Sequence, residues 1–132
     1  MSTVKRFEDL EIWQLARKYA SSIKQLTLEP QFSKEFKFID QIKGSSGSVM
    51  DNIAEGFGRG SRLEFINFLG IAKGSLDESK SQLYRGMDHN LISKSAFDLH
   101  YQIAETISAK IISFIIYLNR TTIKGPKFKD RI

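Results

Sequence analysis

Ser48, Asn52 and Glu55 stand at i, i+4 and i+7, and further along the chain Ser75 and Glu78 stand three apart. On helices these spacings place each set on one face. Two carboxylates brought together there, Glu55 and Glu78, could move a proton to and from a substrate or hold a divalent ion. The competing reading is structural: hydroxyl, amide and carboxylate groups at a packed seam hydrogen-bond one another because burial removes their water. Between the two sets lies NIAEGFGRGSRLEF, residues 52–65, where Gly56, Gly58 and Gly60 flank Arg59 in what could be a phosphate-gripping loop.

The wider chemistry favours the structural reading. A di-metal site in a helix bundle draws carboxylates from four helices with Glu-x-x-His on two of them, and the sequence has no such motif. With no cysteine, thiolate ligands and thiol nucleophiles are excluded. The only histidines, His89 and His100, read as surface residues, Asp88 beside His89 being the one evident carboxylate neighbour. Gly-x-Ser-x-Gly, the Walker loop and His-Glu-x-x-His are all missing. GFGRG contains Gly-x-Gly, but a dinucleotide fingerprint needs a preceding strand and a third glycine at fixed spacing. No enzymatic activity, cofactor or metal is expected.

The elements that must position these residues are helical. From Asp9, read as an N-cap, Ile12, Trp13, Ala16, Ala20, Ile23 and Leu26 recur at helical steps, and Pro30 sets the stop. A second helix starts near Ser33 and shows Phe36, Ile39, Ile42, Val49 and Ile53 on one side, ending at Gly56 as a left-handed C′ residue. FGRG is then the connection. Ser61 and Glu64 form a capping box that opens the third helix, with Phe65, Phe68, Ala72, Leu76, Leu83 and Met87 in phase until MDHN. The fourth opens around Ser93 and runs Ala96, Leu99, Ile103, Ile107, Ile111, Phe114 and Leu118. IISFIIYL at 111–118 is rich in residues that favour sheet, but it holds the phase of the preceding turns and reads as helix.

Four long helices with short connections imply an all-α, antiparallel up-down four-helix bundle over residues 1–119, followed by a tail at 120–132. FINFLGIA and IISFIIYL carry more apolar surface than one stripe requires, which points to a homo-oligomer. Gly70 and Gly74 share a face and read as a close helix approach. The same explanation serves KGSSGSVMDN in the second helix.

The net charge is +5, and its distribution matters more than its size. The tail carries Arg120, Lys124, Lys127, Lys129 and Arg131 against Asp130, while residues 1–119 hold fifteen basic and fourteen acidic side chains. A nearly neutral body with a basic tail is a weaker nucleic-acid signature than a basic face. The N-terminus lacks an apolar signal core and no apolar run approaches the roughly 18 residues of a membrane span, so a soluble cytoplasmic protein is expected.

FEDLEIWQLA, SVMDNIAEGFGRGS and FLGIAKGSLDES, in that order over about residues 7–119, resemble the four-helix bundle proteins encoded by intervening sequences of bacterial 23S ribosomal RNA genes. The matching motif residues are Asn52, Ile53, Ala54, Glu55, Gly56, Gly58 and Arg59, then Gly74, Ser75 and Glu78. The resemblance implies a bundle commonly assembled as a homopentamer, without established enzymatic activity. It also implies kinship to accessory proteins of retroelement reverse transcriptases, which are markedly basic on the body where this chain is near neutral.

Three functions follow as expectations. The first is a non-enzymatic oligomer that binds RNA or a nucleic-acid enzyme through Arg59, Arg62, Lys124, Lys127, Lys129 and Arg131. The second is a protein-interaction module, accessory to a nucleic-acid enzyme, that touches no nucleic acid itself. The third and weakest is a metal-dependent enzyme built on Glu55 and Glu78. Ser48, Asn52, Glu55, Gly56, Gly58, Ser61, Glu64, Gly74, Ser75 and Glu78 are read as structural.

Overall fold

The computed structural model describes residues 4–120. Four helices account for most of them: α1 (Glu11–Thr27), α2 (Phe36–Gly58), α3 (Arg62–Asp88) and α4 (Lys94–Arg120). Among the described residues the only other regular elements are 3-10 turns at Phe7–Asp9 and Pro30–Phe32, and no β-strand element occurs. IISFIIYL lies wholly within α4, so its helical phase prevailed over its β-branched composition.

Helix order in space follows helix order in sequence. α2 packs against α1 and α3, α3 against α4, and α4 against α1. Side-chain pairs give the register: Gln41 with Arg85, Ser45 with Gln82 and Ser48 with Ser75 between α2 and α3. Between α3 and α4, Lys80 meets Glu105 and Arg62 meets the Leu118 carbonyl. Between α1 and α4, Glu11 meets Lys110 and Ser22 meets His100. In every set the number rises along one helix as it falls along its neighbour.

The predicted apolar faces of α1, α3 and the second half of α4 are the buried ones, with Ile23, Phe65, Leu76, Leu83 and Ile111 fully enclosed. The start of α2 differs. It begins at Phe36, not Ser33, and Phe36 is 70% exposed. Pro30 opens a 3-10 turn that drops Phe32 into the core, where its ring stacks on Phe38 at 6.1 Å, so Phe32 and Phe38 do the burying. At the other end of α1, Asp9 is not the N-cap. Residues 7–9 coil into a 3-10 turn closed by the Leu10 N–H donating to the Phe7 carbonyl, and Leu10, buried, occupies the cap position. Leu99, expected on the buried side of α4, is 59% exposed, and Phe97 and His100 take its place inside.

Glycine placement corrects two further expectations. Gly56 is not a left-handed C′ residue but lies inside α2, where a Cβ would stand 2.5 Å from the Phe68 Cβ. Its missing side chain lets α2 and α3 approach. The left-handed residue is Gly60, with φ 74°, inside a connection of only 59–61. Gly70 and Gly74 make no close approach, because a Cβ at either position, or at Gly44 or Gly47, meets nothing within 4 Å.

The two kinds of glycine should therefore respond oppositely to one methyl group. Gly56→Ala is expected to destabilise the fold by about 1–3 kcal/mol through overpacking against Phe68. Gly74→Ala is expected to stabilise it by roughly 0.8–1 kcal/mol through helix propensity. Urea unfolding of both variants checks the pair, and equal signs would refute the distinction.

Candidate functional site

The polar residues singled out in the sequence converge on the α2–α3 hairpin, but not as one site. Asn52 donates through Nδ2 to the Ser48 carbonyl and to Ser48 Oγ, both at 2.8 Å, and Ser48 Oγ lies 3.0 Å from Ser75 Oγ on α3. These three half-buried residues form a seam across the two helices. The carboxylates expected to join it go elsewhere. Glu55 is exposed and binds Arg59 at 3.0 Å, and Glu78 is exposed on α3. Among the described residues, no group of three or more His, Asp or Glu side chains is placed to hold a metal ion.

The hairpin itself is built around Arg59. Its guanidinium pairs with Glu55 at the end of α2 and, at 3.6 Å, with Glu64 in the first turn of α3, while resting 5.0 Å above the Phe68 ring. Arg59 is thus a clasp across the turn. Ser61, fully buried, caps α3 by accepting from the Glu64 N–H at 3.4 Å. Gly58, the last residue of α2, is exposed. Arg62 reaches across to α4 and donates to the Leu118 carbonyl at 2.9 Å, placing a cation where the helix C-terminus is partly negative. Lys124, Lys127, Lys129 and Arg131 lie outside the described residues.

Deeper in the bundle, polar residues that the sequence did not single out carry buried contacts. Tyr19, fully enclosed, shares a 2.7 Å hydrogen bond with Ser79, whose hydroxyl also donates to the Leu76 carbonyl. Ser45 donates to the buried Gln82 side chain at 2.5 Å. His100 is not a surface residue: it is 6% exposed, with Nε2 2.8 Å from Ser22 Oγ and Nδ1 2.7 Å from the Ala96 carbonyl. His89 is exposed at the end of α3. A tyrosine or histidine in a helical pattern fits either an inner or an outer face, which is why spacing alone did not place them.

The sequence reading also passed over the cations of α1. Arg6, Trp13, Gln14, Arg17 and Lys18 line an open groove of about 650 Å³ together with Glu8 and Ser21. Arg17 rests 5.5 Å above the Trp13 ring, and Phe7 meets the same indole edge-on at 5.1 Å. The four-residue step from Trp13 to Arg17 was the available signal.

Exposed apolar side chains complete the surface: Leu63 and Ile71 on α3, Ile112 and Ile116 one turn apart on α4, and Tyr117 beside them. Among the described residues no helix is long and apolar enough to cross a membrane.

Comparison with known proteins agrees with this architecture. The family described as 23S rRNA-intervening sequence protein matches residues 8–113. A crystal structure of a protein of unknown function from the S23 ribosomal protein family of Bacteroides thetaiotaomicron VPI-5482 superimposes with a TM-score of 0.73 at 26% identity. The match covers 79% of this chain and 97% of that one. Comparison with curated proteins gave no significant match.

Burial pushes the Tyr19 hydroxyl up from 10.0 to about 12, against the opposing effect of its hydrogen bond to Ser79. The unfolded chain then ionises this group first, so its contribution to stability is full below pH 10 and is lost as pH rises toward 12. Tyr19→Phe is expected to cost about 1 kcal/mol at neutral pH and to flatten the decline above pH 10. Thermal melts at pH 7 and across pH 9–12 measure both effects.

Proposed function

The chain belongs to the 23S rRNA-intervening sequence protein family, and from that membership we propose a non-enzymatic, antiparallel up-down bundle that self-associates, as a homopentamer, and binds RNA. The observation that carries the non-enzymatic part is how the polar groups are used. Ser48, Asn52 and Ser75 satisfy one another, and Glu55 and Glu64 are both engaged by Arg59. Side chains of the right types for chemistry thus serve helix–helix registration. The opposite-running side-chain pairs between neighbouring helices support the up-down arrangement.

Self-association is supported by Leu63, Ile71, Ile112, Ile116 and Tyr117, each at least 40% exposed on α3 and α4. Apolar side chains on adjacent helices lose free energy in water that a second copy would recover. The same surface suits a protein partner, which is the basis of the alternative function as an accessory to a nucleic-acid enzyme. RNA binding rests on the excess of cations and on the family. Repetition in an oligomer would make a modest patch on each copy effective through multivalency.

Light scattering at micromolar concentration is expected to give a pentamer, and a monomer would defeat the assembly claim. Gel shifts with structured RNA at low ionic strength are expected to weaken steeply with added salt. A protein partner that survives nuclease and high salt, with no RNA shift, would favour the accessory role. Arg59→Ala separates clasp from ligand contact: as a clasp, its loss costs about 1 kcal/mol or less in a melt and leaves RNA affinity unchanged.

A further inference from the structure

We propose that the groove at the start of α1 is the seat of a single-stranded RNA backbone, a reading that rests on the RNA-binding function proposed above. Three cations, Arg6, Arg17 and Lys18, line the groove against one carboxylate, Glu8. Glu8 and Asp9 each lie 3.9 Å from Arg6 Nε, so Arg6 carries the local acidic neighbours. Arg17 and Lys18 have no ion-pair partner among the described residues, and both are exposed. They differ in this from the hairpin arginines: Arg59 is held by two carboxylates and Arg62 by the end of α4.

The groove is also held in shape. Gln14 Nε2 donates to the Glu8 carbonyl at 2.8 Å and ties the wall formed by residues 6–9 to the body of α1. Phe7 and Arg17 cover the indole of Trp13, which is 9% exposed. The Arg17 guanidinium is thereby placed over the indole, 5.5 Å from its centroid. Arg17 is an exposed residue, and a guanidinium is a surface on which an unpaired base can stack while its N–H groups meet a phosphate. Placing the guanidinium there before binding reduces the entropy lost on contact. A bilayer suits this site less well, because the groove is concave and its aromatic side chain is covered rather than presented for insertion. A duplex offers no unstacked base to the guanidinium.

Trp13 is the only tryptophan of the chain, so its fluorescence reports on this groove directly. Titration of the full chain with oligouridylate at low ionic strength is expected to give a saturable change in Trp13 emission that parallels binding measured by anisotropy. Arg17→Ala with Lys18→Ala should lower affinity about tenfold and flatten the log–log salt slope by about 1.4, two contacts at roughly 0.7 each. Lys73→Ala with Lys94→Ala removes the same charge elsewhere and should change neither. Lys18→Glu, at an exposed position, provides the test if the double variant does not fold.

Unchanged affinity in the groove variants, or RNA binding without a Trp13 signal, overturns the groove while leaving RNA binding intact. Failure of the wild-type chain to bind oligouridylate and structured RNA overturns both readings. Vesicles of phosphatidylserine form the third arm: binding to them that depends on Arg17 and Lys18, with no such dependence for RNA, also overturns the proposal.

Discussion

A hydroxyl or amide inside an apolar bundle must find a partner, because none is supplied by water and the loss of one costs about 1–3 kcal/mol. The arrangement of the helices depends on that constraint. Tyr19 with Ser79, Ser45 with Gln82 and Ser48 with Ser75 each join two helices, and each pair forms at one register. Sliding α2 along α3 by a single turn would strand several of these groups at once. Among the described residues no fully buried side-chain nitrogen or oxygen lacks a partner. Apolar packing provides most of the driving force, but it tolerates slippage, whereas directional bonds do not.

The hairpin shows the same economy at the surface. Gly56 lets α2 and α3 touch through the Phe68 Cβ, Gly60 turns the chain with a positive φ, and Arg59 links the ends of both helices through Glu55 and Glu64. A motif that combines glycine, arginine and carboxylate in a short stretch looks like chemistry. Here its parts hold a turn. Arg17 and Lys18, which pair with no carboxylate among the described residues, stand on α1, away from that motif, in a groove whose shape depends on the 3-10 turn before the helix.

Much of the fold was legible because helical periodicity is a local property. Spacing alone marked four helices, the Ser61 cap and most of the enclosed residues, and it placed IISFIIYL in a helix against its composition. Errors gathered where a local pattern has two solutions. Phe36 and Phe38 both fit an apolar face, and the choice between them was made by Phe32, which enters the core from the 3-10 turn and stacks on Phe38. Gly56, Gly70 and Gly74 look alike in sequence, yet one faces Phe68 and the other two face open space. His100 and Tyr19 could sit on either side of their helices until Ser22 and Ser79 came within reach.

The sequence by itself determined that the chain is helical, where its helices run to within a few residues, and which family it resembles. Those properties depend on spacing along the chain. Only the tertiary structure decided which glycine is a contact, which histidine is buried, and whether an arginine such as Arg59 is held by carboxylates or, like Arg17, rests over an aromatic ring. For the glycine, the histidine and Arg59 the answer depends on the neighbour presented by another helix, and that neighbour is set by packing across the bundle rather than by distance along the chain.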